Sequence, residues 1–142
     1  CTVNKYANEC MKGLEVHACT DITGFSLIGH SFEMANGSNK TIEIFSDSVP
    51  VIREALEYAR MGIIPEGMYN NLDYLKGKFT LTSNISQEIQ DVLLDPQTSG
   101  GLLISLPEKN SKEYLSWIGE FTAYARVIGQ VAEQGDLPIV VR

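Results

Sequence analysis

The sequence predicts an α/β domain of the α+β type, a mixed β-sheet with helices packed mainly on one face. Segments of strand periodicity alternate with segments of helical periodicity along the 142 residues. The run "LLISL" at 102–106 is apolar almost throughout, as in a strand buried on both faces. No strand is followed by G-x-G-x-x-G, which favours a mixed sheet over a doubly wound dinucleotide fold.

In chain order, "CTVNKYANECMKG" sets Val3, Tyr6, Ala7, Cys10 and Met11 on one helix face, with Gly13 to end it. A chain that opens inside such a pattern, without methionine, is expected to be a piece of something longer, with 1–142 as one domain. "LEVHAC" reads as a strand, followed from Thr23 by a helix carrying Phe25, Ile28, Gly29 and Phe32 and ending near the Asn-Gly pair of "ANGSN". "TIEIF" alternates as a strand. Ser48 and Pro50 then offer a cap and an early proline to a helix with Ile52, Ala55, Leu56 and Ala59 inward, closed by Gly62. "IPEGMYNNLDYLKG" reads as turn-rich, with one helical turn, and "KFTLTS" as a short strand. "NISQEIQDVLLD" carries the Asn84–Gln87 spacing of a capping box before a helix with Ile85, Ile89, Val92 and Leu93 on one side. After "DPQTSGG" and the strand at 102–106, "EKNSKEYLSWIGEF" is an amphipathic helix built on Tyr114, Leu115, Ile118 and Phe121. "YARVIGQVAE" and "PIVV" finish as strands.

Eighteen acidic against eleven basic residues give a formal charge of -7, which argues against a nucleic-acid partner. No apolar stretch approaches the roughly 18 residues of a membrane span, so no membrane partner is expected. Cys1, Cys10 and Cys19 make no C-x-x-C, and His17 and His30 lack zinc-ligand spacing. A reducing cytoplasm is the expected compartment, with Cys10 as a buried thiol.

Two segments bear on chemistry. In "TDITG" an aspartate leaves a strand and enters a helix N-terminus. Asp21 or Thr23 either caps the helix, or Asp21 holds a Mg²⁺ ion that bridges phosphate oxygens. "DPQTSGG" feeds a strand rather than a helix, so its residues alone read as a tight turn. His30 reads as a helix histidine hydrogen-bonded to a neighbour rather than a catalytic group.

Together "VHACTDITGFSLIGH", "GIIPEGMYNNLD" and "LLDPQTSGGLLISLP" resemble, in order and spacing, the carboxyl-terminal half of the selenophosphate synthetases (selenide, water dikinases). These enzymes belong to the aminoimidazole ribonucleotide synthetase superfamily. The resemblance runs from about Asn4 to Val131 and implies the second of two domains, with ATP held between them. It implies a Mg²⁺-dependent reaction of ATP, selenide and water to selenophosphate, AMP and orthophosphate, in a cytoplasmic enzyme that is a homodimer when full-length. The reactive cysteine or selenocysteine and its lysine belong to the amino-terminal domain, so no catalytic residue is expected here. Asp21 matches the single metal-binding aspartate of the second domain, with Thr20, Thr23 and Gly24 around it. Asp95, Thr98, Ser99, Gly100 and Gly101 match the second signature, and Asn71 a recurring asparagine, all expected to face the ATP and phosphate cleft. The family usually reads Gly-Phe-Gly where this chain has Ser26, a change that helix propensity alone makes harmless. Two other readings are an ATP-dependent synthetase or kinase of the aminoimidazole ribonucleotide or thiamin monophosphate type, against which "DPQTSGGLL" argues, and a non-catalytic interaction module.

Overall fold

The computed structural model describes residues 4–142, so Cys1 and Val3 lie outside the described residues. Strands β2 (Lys40–Ile44), β3 (Phe79–Leu81), β5 (Gly129–Glu133) and β6 (Ile139–Val141) form one sheet in the order β3-β6-β2-β5. β6 runs parallel to both β2 and β3, whereas β5 is antiparallel to β2. Alternation along the strands turns Ile42, Ile44, Ile139 and Val141 into the core. The opposite face carries Glu43, whose carboxylate accepts from Gln130 Nε2 at 2.7 Å and Arg142 Nη2 at 2.6 Å. Helices α2 (Ser26–Ser38), α4 (Glu66–Leu75) and α5 (Gln87–Leu93) cover the inward face with Ile28 and Ala35, Met68 and Leu75, and Leu93. Leu94 adds to the same cluster. Each large side chain there stabilises the fold by about 1.5–3 kcal/mol over its exposed state. The expected one-sided helix packing holds for this sheet.

The single sheet does not. Among the described residues β1 (Ala18–Asp21) and β4 (Leu102–Ser105) pair only with each other, antiparallel, with Asp21 opposite Leu102. A second core lies beside this ribbon, where α1 (Lys5–Cys10) meets α6 (Glu108–Ile118). It consists of Cys10, Tyr114 and Ile118, with Ile104 and Leu106 packed against them. Burial pushes the Cys10 thiol upward, as expected of an inert buried cysteine. Burial, with Cys10 and Cys19 nearby, pushes the Tyr114 phenol up to about 12, and its hydroxyl donates to Ala7 O at 3.2 Å. β4 is half-buried along its whole length, not buried on both faces, because two strands cannot shield either side completely.

Several elements differ from expectation for local reasons. The segment expected to be turn-rich is the ten-residue helix α4, whose buried Met68, Asn71 and Leu75 recur at helical spacing. The Asn36-Gly37 pair lies inside α2, and the reversal falls at Asn39, in the left-handed region at φ 51°. Ser46–Ser48 form a 3-10 turn, so α3 (Arg53–Arg60) starts later, without a side-chain cap. Ile52 is 74% exposed and not inward, because α3 lies at the periphery against α5 and buries no residue fully. The capping box does not form. Asn84 Oδ1 accepts from Thr82 Oγ1 at 2.7 Å, while the Gln87 amide reaches forward to Asp91 at 2.7 Å. β1 starts at Ala18 and β5 at Gly129, each shorter than its apolar run. Among the described residues no helix is long and apolar enough to cross a membrane.

Candidate functional site

β1 delivers Asp21 to the rim of the ribbon and hands over to a four-residue turn, Ile22 to Phe25, before α2. Its first three residues are tied down. Ile22 is buried, its N–H donates to Gly101 O at 3.0 Å, and its carbonyl accepts from Gly100 N at 3.1 Å. Thr23 O accepts from Gln97 N at 3.1 Å and Ser26 N at 3.0 Å. Gly24 O accepts from Asn71 Nδ2 at 3.0 Å, and the same nitrogen donates to Leu94 O at 3.0 Å. "TDITG" and "DPQTSGG" are therefore zipped together backbone to backbone, with α4 as the clip behind them. A plain isolated turn at 95–101 is not what forms.

The glycines divide by role. A side chain at Gly100 would run into the Ile22 carbonyl, so the zipper requires glycine there. A Cβ at Gly67 would meet Pro96 at 2.8 Å, which sets how closely α4 approaches the second segment. Gly24 and Gly101 are exposed and have open space around them, so the chain itself does not demand glycine at either position.

Neither Asp21 nor Thr23 caps α2. Ser26 does, its hydroxyl accepting from Gly29 N at 3.3 Å. Its backbone sits at φ 70°, in the left-handed region where glycine is favoured, and its side chain is fully buried. The substitution is therefore not harmless. It keeps the turn at a conformational cost and returns part of that cost as a cap. Helix propensity missed this because the residue that begins the helix is not itself in a helical conformation.

With the cap assigned to Ser26, the Asp21 carboxylate has no hydrogen-bond partner among the described residues and is exposed. Thr20 makes only a long 3.4 Å contact to the Asp21 carbonyl. The Thr23 hydroxyl lies 2.9 Å from His30 Nε2, which bears out the reading of His30 as a hydrogen-bonded helix histidine. Asp95 is half-buried and accepts from Gln97 Nε2 at 2.9 Å; burial pushes its carboxyl upward against that bond. Thr98 and Ser99 are exposed at the outer bend. Asn71 is 7% exposed with its amide nitrogen committed to two carbonyls, so it stands behind the corner as a brace instead of facing outward. Beside the corner Phe25 is 52% exposed, stacked on Tyr74 at 6.2 Å.

The oxygen donors on the rim, the Asp21 carboxylate and the threonine hydroxyls, are the hard ligands Mg²⁺ prefers. Among the described residues no three His, Cys, Asp or Glu side chains gather as a metal site. The corner thus fits one part of a Mg²⁺ shell and does not complete it.

Residues 4–142 match the family described as AIR synthase related protein, C-terminal domain. The chain is 72% identical over 141 residues to a selenide, water dikinase of Clostridium botulinum (strain Eklund 17B / Type B), covering 99% of this chain and 41% of that protein. It is 47% identical over 141 residues to one from Caldanaerobacter subterraneus subsp. tengcongensis, covering 99% of this chain and 41% of the relative. With one from Clostridioides difficile (strain 630) it shares 46% over 140 residues, 98% of this chain and 40% of the relative. The chain thus spans about two-fifths of the length of these relatives. A mixed α+β fold, two signature segments zipped at one corner and a family match along nearly the whole sequence agree: this chain belongs to the AIR synthase related family, as its C-terminal domain.

Proposed function

We propose that this chain is the carboxyl-terminal part of a selenophosphate synthetase, which converts ATP, selenide and water to selenophosphate, AMP and orthophosphate. The observation that carries the reading is the unpartnered Asp21 carboxylate, held at the rim where the two signature segments are hydrogen-bonded together. The name shared by the relatives supports the substrate assignment.

In this reading the corner faces an ATP cleft completed by an amino-terminal domain, which also carries the nucleophile, and the whole enzyme is a cytoplasmic homodimer. With a formal charge of -7, this chain is poorly suited to neutralise a polyphosphate with its own side chains. Mg²⁺, when bound, supplies that charge and orients the phosphoryl groups. Asp21 contributes one carboxylate toward the cation, and Thr20 and Thr23 stand beside it as oxygen donors. The exposed bend at Thr98, Ser99 and Gly101 lies against the phosphates, while Gly100 and Asn71 hold that bend in register with Asp21. Phe25 gives the missing domain an apolar place to rest.

The test is Asp21→Asn in the full-length protein. We expect lower selenide-dependent conversion of ATP to AMP, a raised Mg²⁺ requirement partly rescued by excess Mg²⁺, and an unchanged melting curve, since Asp21 caps nothing. Wild-type turnover at ordinary Mg²⁺ would remove Asp21 from the ligand set. A wild-type protein that phosphorylates some other acceptor and ignores selenide would remove the substrate assignment.

A further inference from the structure

The turn behind Asp21 has one remaining freedom. The Thr23 carbonyl is held by Gln97 N and Ser26 N, and the Gly24 carbonyl by Asn71, so the backbone there is fixed in place by three hydrogen bonds. What is left is the rotation of the Thr23 hydroxyl, and His30 meets it. His30 projects from α2 with Nε2 2.9 Å from Thr23 Oγ1. On the far side of the ring, Glu33 Oε2 lies 3.4 Å from Nδ1. The Phe25 ring walls the imidazole edge-on, with centroids 5.7 Å apart, and leaves the His30 side chain 9% exposed.

We propose that His30, steered by Glu33, is a positioning residue that makes the Thr23 hydroxyl an acceptor toward the site; this rests on the function proposed above. Glu33 is too far for a good hydrogen bond, but its negative charge beside Nδ1 favours the proton there, which in the neutral ring leaves Nε2 bare. A bare Nε2 takes the Thr23 O–H, which commits the hydroxyl's only hydrogen to the protein interior. The two lone pairs of Oγ1 are then what Thr23 presents to a ligand. That suits a hard cation, or a water in its shell, held next to Asp21, and it is wrong for a bare phosphate oxygen, which needs a donor. Reversing the tautomer would reverse this preference without moving a heavy atom. The shelter given by Phe25 strengthens the bond by keeping water off the ring. His30 touches no reacting atom and acts only through Thr23.

The test uses the full-length protein and has two readouts besides turnover. Selective ¹⁵N-histidine labelling, with His30→Gln for assignment, reads the ring tautomer. We expect Nδ1 protonated and Nε2 bare in the neutral ring, with the Nε2 resonance alone moving in Thr23→Val and proton occupancy shifting toward Nε2 in Glu33→Gln. A neutral ring protonated on Nε2 overturns the proposal. Binding of Mn²⁺, as a spin probe for the Mg²⁺ position, is then measured in a double-mutant cycle. Thr23→Val and His30→Leu should each weaken it roughly tenfold, the double variant no further than either, and Thr23→Ser should bind like wild type. Multiplying effects, or unchanged binding with only a lowered melting temperature, would make His30 merely structural and overturn the proposal. Should the enzyme act on an acceptor other than selenide, the functional reading fails while the tautomer and the cycle still stand. Normal selenide turnover beside a multiplicative cycle does the opposite.

Discussion

At Ser26 the backbone and the side chain pull in opposite directions. A non-glycine residue at φ 70° costs about 1–2 kcal/mol, and the cap its hydroxyl gives Gly29 N returns about 1 kcal/mol. Ser26→Gly should therefore leave the 142-residue chain as stable or up to about 1 kcal/mol more stable, while Ser26→Ala, which keeps the strain and loses the cap, should cost about 1 kcal/mol. Denaturant melts of the two variants check both signs. Asp95 makes the converse case for charge. Burial raises its folded pKa above the ordinary value of 3.8, so the folded state favours the neutral acid. This group's contribution is fully present below that ordinary value and is lost as pH rises through the raised one. Asp95→Asn should melt slightly higher than wild type at pH 7, with the gap closing on acidification below the ordinary value. A constant gap across the pH range would show that ionisation is not the cause. At Asp21 residue type and position left a cap and a metal ligand both open; the structure removes the cap, and the ligand reading rests on the family resemblance. What composition hid was the Ser26 conformation, since a positive φ leaves no trace in helix propensity.

The corner depends on α4 more than its sequence suggests. A polar residue at 71 interrupts the apolar stripe of Met68 and Leu75, which made "GMYNNLDYL" look like turns. In the fold Asn71 is buried because both its amide hydrogens have carbonyls to meet. Asn71→Leu removes both donors and leaves the Gly24 and Leu94 carbonyls short of a partner. We expect a loss of about 1–3 kcal/mol, chiefly from the Leu94 carbonyl left buried and unpaired, since water can reach the carbonyl of the exposed Gly24. Asn71→Asp, which presents only acceptors there, should be no better. Chemical denaturation measures both, and near wild-type stability in either would mean that water replaces the amide. Helices α2, α5 and α6 and strands β2 and β6 were readable from periodicity because each buries a regular stripe. The capping box at Asn84 failed because the helix starts at Gln87 with Ser86 at its N-cap, two residues further on, while Asn84 accepts from Thr82. β4 misled because an apolar run reports how much cover a strand gets, not how many neighbours it has.

Two cores, one under the four-stranded sheet and one between α1 and α6, bury apolar surface within the described residues. We expect cooperative melting of the isolated 142 residues and no selenide-dependent ATP consumption above buffer, because the proposed reading puts the nucleophile in an amino-terminal domain. Measurable turnover would overturn the second expectation. The mixed class and one-sided packing were legible because they follow from local pattern; the split into a ribbon and a sheet was not, because strand partners are chosen over long separations. That separation matters for synthesis. β6 sits between β2 and β3, parallel to both, so the middle of the sheet is the last of its strands to be made. Ile44 must wait for Val141, its register partner, and at about 5–20 residues per second that delay is on the order of ten seconds. Through that interval the nascent chain carries β2 and β3 with a gap between them one strand wide. A ribosome that pauses before residue 139 holds an open template for any passing extended segment, and chaperone occupancy should fall abruptly once residues 139–141 are made and free to enter the sheet.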